Sequence, residues 1–245
     1  MSGNETLDRP GGRIAYRRSA GRGPAIIFLP GYRSDMEGGK ATALDAWAEA
    51  EGRAMIRFDY SGCGISDGDF ETQSLADWRD DVLAIVDQVA EGPVVLVGSS
   101  MGGWLMLLAA LARPDRVAGL VGIAAAPDFT SWGFDAHQKD VIATAGKLEE
   151  PNSYDDQPYV TTRIFWESGE SLKLLDAPIP ITCPVRLLHG LADADVPWRI
   201  SLHILEQIEA EDAHLCLIKD GDHRLSREPD IERLIGTVEA LLGRI

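Results

Sequence analysis

Ser100 lies in Gly98-Ser99-Ser100-Met101-Gly102, between the apolar runs Pro93-Val94-Val95-Leu96-Val97 and Gly103-Trp104-Leu105-Met106-Leu107-Leu108-Ala109-Ala110. That pattern predicts a buried strand, a sharp turn and a helix. It has the G-x-S-x-G form in which a serine is raised above the end of a sheet on a strained turn. The glycines let strand and helix pass closely. A hydroxyl is a weak nucleophile near neutral pH. It needs a base to take its proton and a third group to hold that base in one tautomer. The chemistry on offer is attack on a carbonyl, as in a hydrolase or an acyl transferase.

His223 is the candidate base. It follows an apolar run at 214–218 through Lys219-Asp220-Gly221-Asp222 and precedes a helical pattern, which puts it on a loop at a strand end. The other histidines fit less well: His189 is inside a strand-end run, His203 in a helical pattern, His137 in a long intervening segment and His214 at a strand start. Asp193 is the candidate orienting carboxylate, in His189-Gly190-Leu191-Ala192-Asp193-Ala194-Asp195-Val196-Pro197. Asp195 is its rival, but its nearness to Val196-Pro197 suits a cap on the next helix. A tetrahedral intermediate also needs donors for its oxyanion. The Met101 N–H, at a helix start, supplies one. The Tyr32 N–H, in Pro30-Gly31-Tyr32 after the run at 25–29, supplies the other.

These groups need a scaffold. Strand patterns at 13–19, 25–29, 54–58, 93–97, 117–125, 185–188 and 214–218 alternate with helical patterns at 41–51, 75–89, 103–110, 200–208 and 231–242. Alternation of this kind implies parallel strands with helical crossovers on both faces of one sheet. Pro30-Gly31, Asp59, Ser100, Asp193 and His223 all fall just after a strand, where sites of open α/β sheets collect. Asp59, in Asp59-Tyr60-Ser61-Gly62-Cys63-Gly64-Ile65-Ser66, is read as a residue that bonds backbone in a structural turn; the stretch lacks phosphate-loop spacing and its lysine.

The segment between Pro127 and Pro184 is far longer than a crossover needs. It carries Trp132, Phe134, Tyr154, Tyr159, Phe165 and Trp166, and is read as a small helical cap. The expected organisation is a core of residues 1–127 and 181–245, with a cap at 128–180. Trp132, Phe165 and Trp166 are candidate substrate contacts.

A net charge of −16 argues against nucleic-acid and anionic-membrane partners. The longest apolar run is too short to span a bilayer, so no stable membrane insertion is expected. The three cysteines have neither metal-ligand nor disulfide spacing. Cys183 and Cys216, in apolar runs, are expected to be buried, and Cys63, in a Gly-rich turn, accessible. No metal or cofactor is called for. The polar N-terminus lacks a signal-peptide pattern, and the chain is expected to be cytoplasmic.

Four blocks taken together carry a resemblance: Phe28-Leu29-Pro30-Gly31-Tyr32, Ile56-Arg57-Phe58-Asp59-Tyr60-Ser61-Gly62, Val97 to Met106, and Cys183-Pro184-Val185-Arg186-Leu187-Leu188-His189-Gly190, with Asp222-His223-Arg224. They resemble the α/β-hydrolase superfamily over nearly the whole chain. Within it they resemble the mitochondrial palmitoyl-protein thioesterases and acyl-glucuronide esterases of the α/β-hydrolase-domain family. The order Ser, Asp, His is that of the superfamily's triad. The resemblance implies an α/β-hydrolase fold, with Ser100 as nucleophile, Asp193 as orienting acid and His223 as base. It also implies depalmitoylation through an acyl-enzyme, and a cap that receives the acyl chain. The chain lacks an Arg-rich amphipathic start and so looks like a bacterial counterpart. Arg33, beside the oxyanion loop, is expected to favour a carboxylate such as a glucuronide. The substrate is then a small ester or acyl thioester, or an S-acylated protein. Two other readings stand beside it: a non-catalytic ligand-binding protein of this fold, and a serine peptidase of this fold.

Overall fold

The computed structural model describes residues 3–151 and 158–245, so Tyr154 lies outside the described residues. In chain order the elements are β1 (Glu5–Arg9), β2 (Gly12–Ser19), β3 (Arg22–Leu29), α1 (Gly39–Ala50), β4 (Arg53–Phe58), α2 (Leu75–Ala84), β5 (Val94–Ser99), α3 (Met101–Ala112) and β6 (Val117–Ile123). They continue with α4 (Phe129–Trp132), α5 (Ala136–Ala145), β7 (Lys147–Glu150), β8 (Tyr159–Thr162), α6 (Arg163–Ser171), β9 (Val185–Gly190), α7 (Arg199–Gln207), β10 (Ala213–Ile218) and α8 (Glu228–Leu242).

Eight strands form one sheet in the order β1-β2-β4-β3-β5-β6-β9-β10. From β4 to β10 all neighbours are parallel; β2 pairs antiparallel with both β1 and β4. A parallel strand buried on both faces reads as an unbroken apolar run, and β5 is buried along its whole length. The side chains still alternate. Ile27 and Leu29 of β3 and Leu96 of β5 join one core layer with Trp78 of α2, Trp104 of α3 and Ile204 of α7. Ile26, Phe28, Val95 and Val97 face the other way, onto Leu44 of α1 and Val238 and Leu241 of α8. That two-residue period sorts the helices onto the two faces. The first layer swallows α3 almost entirely, buried from Met101 to Ala110, which is why its sequence is apolar all round.

Some expectations need correction. β1 was not anticipated: its residues alternate half-buried and exposed, so no apolar run marks it. The helix expected over 75–89 opens on a Ser74–Asp77 capping box, but its last turn, Ile85–Val89, is a π-helix. Residues 128–180 are not purely helical. β7 and β8 form an antiparallel hairpin there, favoured by the β-branched Val160, Thr161 and Thr162. The cysteines are reversed as well. Cys63 is buried, because its loop folds beneath Tyr60 and Trp78 in the core, and burial pushes its thiol up to about 12. Cys183 and Cys216 are only half-buried. No helix among the described residues is long and apolar enough to cross a membrane.

Candidate active site

The turn from β5 into α3 is tight because three backbones converge on it. A Cβ on Gly98 would stand 2.3 Å from the Gly102 carbonyl oxygen, and one on Gly102 would stand 2.1 Å from that of Leu29. Only hydrogen fits at either position. The turn leaves Ser100 at φ 54°, ψ −118°, a conformation that L-residues rarely adopt. Strain of this kind persists only where the surroundings over-determine it.

Ser100 Oγ lies 3.2 Å from His223 Nε2, and His223 Nδ1 lies 2.9 Å from Asp193 Oδ2. These three residues come from the loops after β5, β10 and β9, which are not neighbours in sequence. The Asp193 carboxylate is fully buried, and His223 is 18% exposed. Burial alone would push the Asp193 carboxyl up. Hydrogen bonds from His189 and His223, the His223 charge and the Val196 N–H outweigh it and hold the carboxyl well below its usual range. Its other oxygen accepts the N–H groups of Asp195 and Val196 at 2.9 and 2.8 Å. An ionised, immobilised carboxylate beside Nδ1 places the imidazole's free lone pair at Nε2, toward Ser100.

The loop after β3 passes over the serine: a Cβ on Gly31 would lie 3.4 Å from Ser100 Cβ. Core groups fix that loop. Tyr60 Oη donates to the Pro30 carbonyl at 3.1 Å, Asp59 accepts from the Met36 and Ile65 N–H groups, and Arg57 donates to the Met36 carbonyl. Asp59 therefore bonds backbone as expected. Met101 opens α3, whose first N–H groups have no intrahelical partner.

A cavity of about 580 Å³ surrounds these groups. Ser100, His223, Tyr32, Phe129, Trp132 and Phe134 line it, with Arg33, Lys40 and Arg224 among its polar lining. Arg33 is left-handed (φ 54°) and stacks its guanidinium over Phe70 at 4.9 Å.

Comparison with known proteins gives the family of the chain. Residues 24–155 match the family described as alpha/beta hydrolase fold. The chain belongs to the α/β-hydrolase family. It is 46% identical to the mouse palmitoyl-protein thioesterase ABHD10, mitochondrial, over 95% of this chain and 80% of that protein. The solved structure of alpha/beta hydrolase domain-containing protein 10 from mouse superposes with a TM-score of 0.93 at 43% identity, covering 99% of both chains. A putative hydrolase from Agrobacterium vitis superposes at 0.92 with 37% identity, over 99% of this chain and 98% of that one. This α/β-hydrolase is accordingly a hydrolytic enzyme.

The same relatives correct the cytoplasmic expectation. The mouse, rat and human proteins of that name are designated mitochondrial. A polar N-terminus says little about compartment, because targeting segments are removed from mature chains.

Two expected substrate contacts are also corrected. Trp132 lines the cavity, its indole N–H held by the Pro127 carbonyl at 2.8 Å. Phe165 is 1% exposed and does not line it; it packs in the core against Tyr32, Trp78 and Phe129. Trp166 donates to the Thr130 carbonyl at 3.0 Å and is likewise no part of the lining. Helical phase decides this: Phe165 faces the core layer, and Trp166, one residue on, faces α4. Asp195 does not cap α7, whose N-cap is Trp198 with no side-chain cap; Asp195 lines the cavity instead.

Sequence reading missed Lys40. It lines the cavity from α1, its Nζ donating to the Arg224 carbonyl at 2.6 Å, and burial, with the Arg224 charge, lowers it to about 8. Nothing local marks it, since its burial depends on a loop 184 residues away. His189, set aside as a base for its place in a strand-end run, is wholly buried and borders Asp193.

Proposed function

We propose that this α/β-hydrolase cleaves thioesters or carboxylic esters through an acyl-enzyme on Ser100. The observation that carries the reading is the relay of His223 between Ser100 Oγ at 3.2 Å and Asp193 Oδ2 at 2.9 Å. In it, His223 Nε2 takes the Oγ proton as Ser100 attacks the acyl carbonyl, and Asp193 stabilises the imidazolium. The N–H groups of Met101 and Tyr32 hold the developing oxyanion. His223 then returns the proton to the departing thiolate or alkoxide. A water molecule, deprotonated by His223, releases the acid. The steps use the chain's own residues, the substrate and water.

Residues 128–180 form the cap in this reading, and residues 1–127 and 181–245 the catalytic core. Phe129, Trp132 and Phe134 give the acyl group an apolar wall, and Arg33 sits where a leaving-group carboxylate would pass. The name of the mouse relative, a palmitoyl-protein thioesterase, favours long acyl groups and S-acylated protein as a substrate. Each methylene withdrawn from water is worth about 0.8 kcal/mol, or roughly fourfold in kcat/KM. A series of p-nitrophenyl esters and acyl thioesters should therefore climb several-fold per carbon until the wall is covered. Ser100→Ala should abolish turnover across the series while thermal unfolding stays cooperative. Retained turnover in that variant would refute the assignment, and a maximum at acetyl would refute the long-chain preference.

A further inference from the structure

We propose that His189 is a positioning residue: as its neutral Nε2–H tautomer it donates to Asp193 Oδ2 and locks the carboxylate that orients His223. The proposal rests on the triad reading above and concerns a side chain that touches neither substrate nor Ser100.

His189 is the next-to-last residue of β9 and has no solvent exposure. Its Nδ1 lies 2.7 Å from Ser201 Oγ, also wholly buried, on α7. Its Nε2 faces two oxygens, the Val196 carbonyl at 3.0 Å and Asp193 Oδ2 at 3.1 Å. The tautomer follows from what these partners can do. A carbonyl and an ionised carboxylate only accept, so Nε2 must carry the proton. A hydroxyl can donate, so Ser201 supplies the hydrogen to Nδ1. The opposite tautomer would aim a lone pair at two oxygen acceptors inside the protein, where an unmade hydrogen bond is costly.

Backbone N–H groups bond Oδ1 and His223 Nδ1 bonds Oδ2; the Nε2–H tautomer of His189, 3.1 Å away, gives Oδ2 a second donor that it shares with the Val196 carbonyl. A carboxylate with only His223 on Oδ2 would resist the pull of that ring, as it becomes an imidazolium, through the Oδ1 bonds alone. His189 Nε2 adds a second contact to Oδ2 at 3.1 Å, and through the Val196 carbonyl it anchors the loop that carries Asp193. The ring returning the proton thus keeps its aim. The loss on removing this donor belongs in kcat, because no substrate atom is bound by it.

The experiment has two arms. In the first, nitrogen-15 NMR of the intact protein labelled at histidine reads the ring proton of His189. Protonation at Nε2 alone is expected, and a proton on Nδ1 would overturn the proposal. The second arm compares two variants. In His189→Gln the side-chain amide reaches the place of Nε2 and keeps the donor. In His189→Asn it reaches only the place of Nδ1. His189→Asn should lose about tenfold to a hundredfold in kcat, the worth of a hydrogen bond to a charged group, with KM nearly unchanged. His189→Gln should stay within a few-fold of the parent. Equal losses in both, or a loss mainly in KM, would overturn the proposal, and the NMR arm holds even if a variant does not fold. Turnover surviving in Ser100→Ala breaks the underlying triad reading instead, whatever the His189 variants do.

Discussion

The strand-end cluster and the segment at 128–180 meet in one cavity but are built on different terms. At the cluster, the backbone dictates the side chains. Gly98 and Gly102 admit no Cβ, Ser100 is forced to φ 54°, and one Asp193 oxygen bonds to the N–H groups two and three residues on. In the segment at 128–180, side chains dictate the position. Phe165 is held by rings of Tyr32 and Trp78, Asp128 accepts the N–H groups of Leu174 and Leu175, and Glu170 accepts from Thr130 and Ser131. A site that must hold atoms to within tenths of an ångström rests on steric exclusion. A wall that must suit an acyl chain rests on apolar contact, which tolerates more exchange.

The largest expected effect breaks the polar side of that contrast. Asp193→Asn should lower kcat on the order of 10⁴-fold, since an amide no longer selects the working tautomer of His223. It should also change the acid limb of stability. The Asp193 carboxyl sits below its usual value when folded, so the unfolded chain binds that proton more tightly. The stability it contributes is present above about pH 4 and is lost as pH falls below that. Denaturant melts of wild type from pH 5 to pH 2 should therefore fall more steeply than those of Asp193→Asn. Parallel slopes would mean that Asp193 is not held by the donors named here. A smaller effect probes the apolar side. Phe165→Ala removes a ring 1% exposed and should cost about 3–5 kcal/mol of stability. Folded variant should keep kcat on short esters to within a few-fold, because Phe165 does not line the cavity. A loss below about 1 kcal/mol would mean that the inserted segment is not anchored through this ring.

The same contrast sets how much could be read from the chain. The sheet, its parallel order and the strand-end places of Ser100, Asp193 and His223 were legible because each is a local demand: an apolar run, a glycine where no Cβ fits, a loop after a strand. The inserted segment was legible only as an excess of length and aromatic rings. Its hairpin, and the burial of Phe165 beside a half-exposed Trp166, depend on partners such as Tyr32 and Trp78, some 90 to 130 residues away in sequence. The reversed cysteines have the same cause. A Gly-rich turn looks exposed until its fold beneath Tyr60 is known, and Cys216 looks buried in its apolar run until β10 is seen at the edge of the sheet.

Tyr32 belongs to both regions. Its backbone follows Gly31 in the loop over Ser100, while its ring lies 5.0 Å from Phe165 and 6.4 Å from Tyr159 and its hydroxyl donates to the Val160 carbonyl at 2.6 Å. Tyr32→Phe keeps the rings and the N–H and deletes only that bond to the hairpin. The expected cost is about 1 kcal/mol, a drop of roughly 2–4 °C in Tm for a chain of this size. With β8 untied, the apolar wall loosens before the chemistry does. KM for long-chain esters should therefore rise, while kcat on p-nitrophenyl acetate stays within about twofold. If the acetate rate falls instead and the long-chain KM holds, the hydroxyl tie governs the aim of the Tyr32 N–H. The chemistry and the wall would then be one mechanical unit rather than two regions that share a cavity.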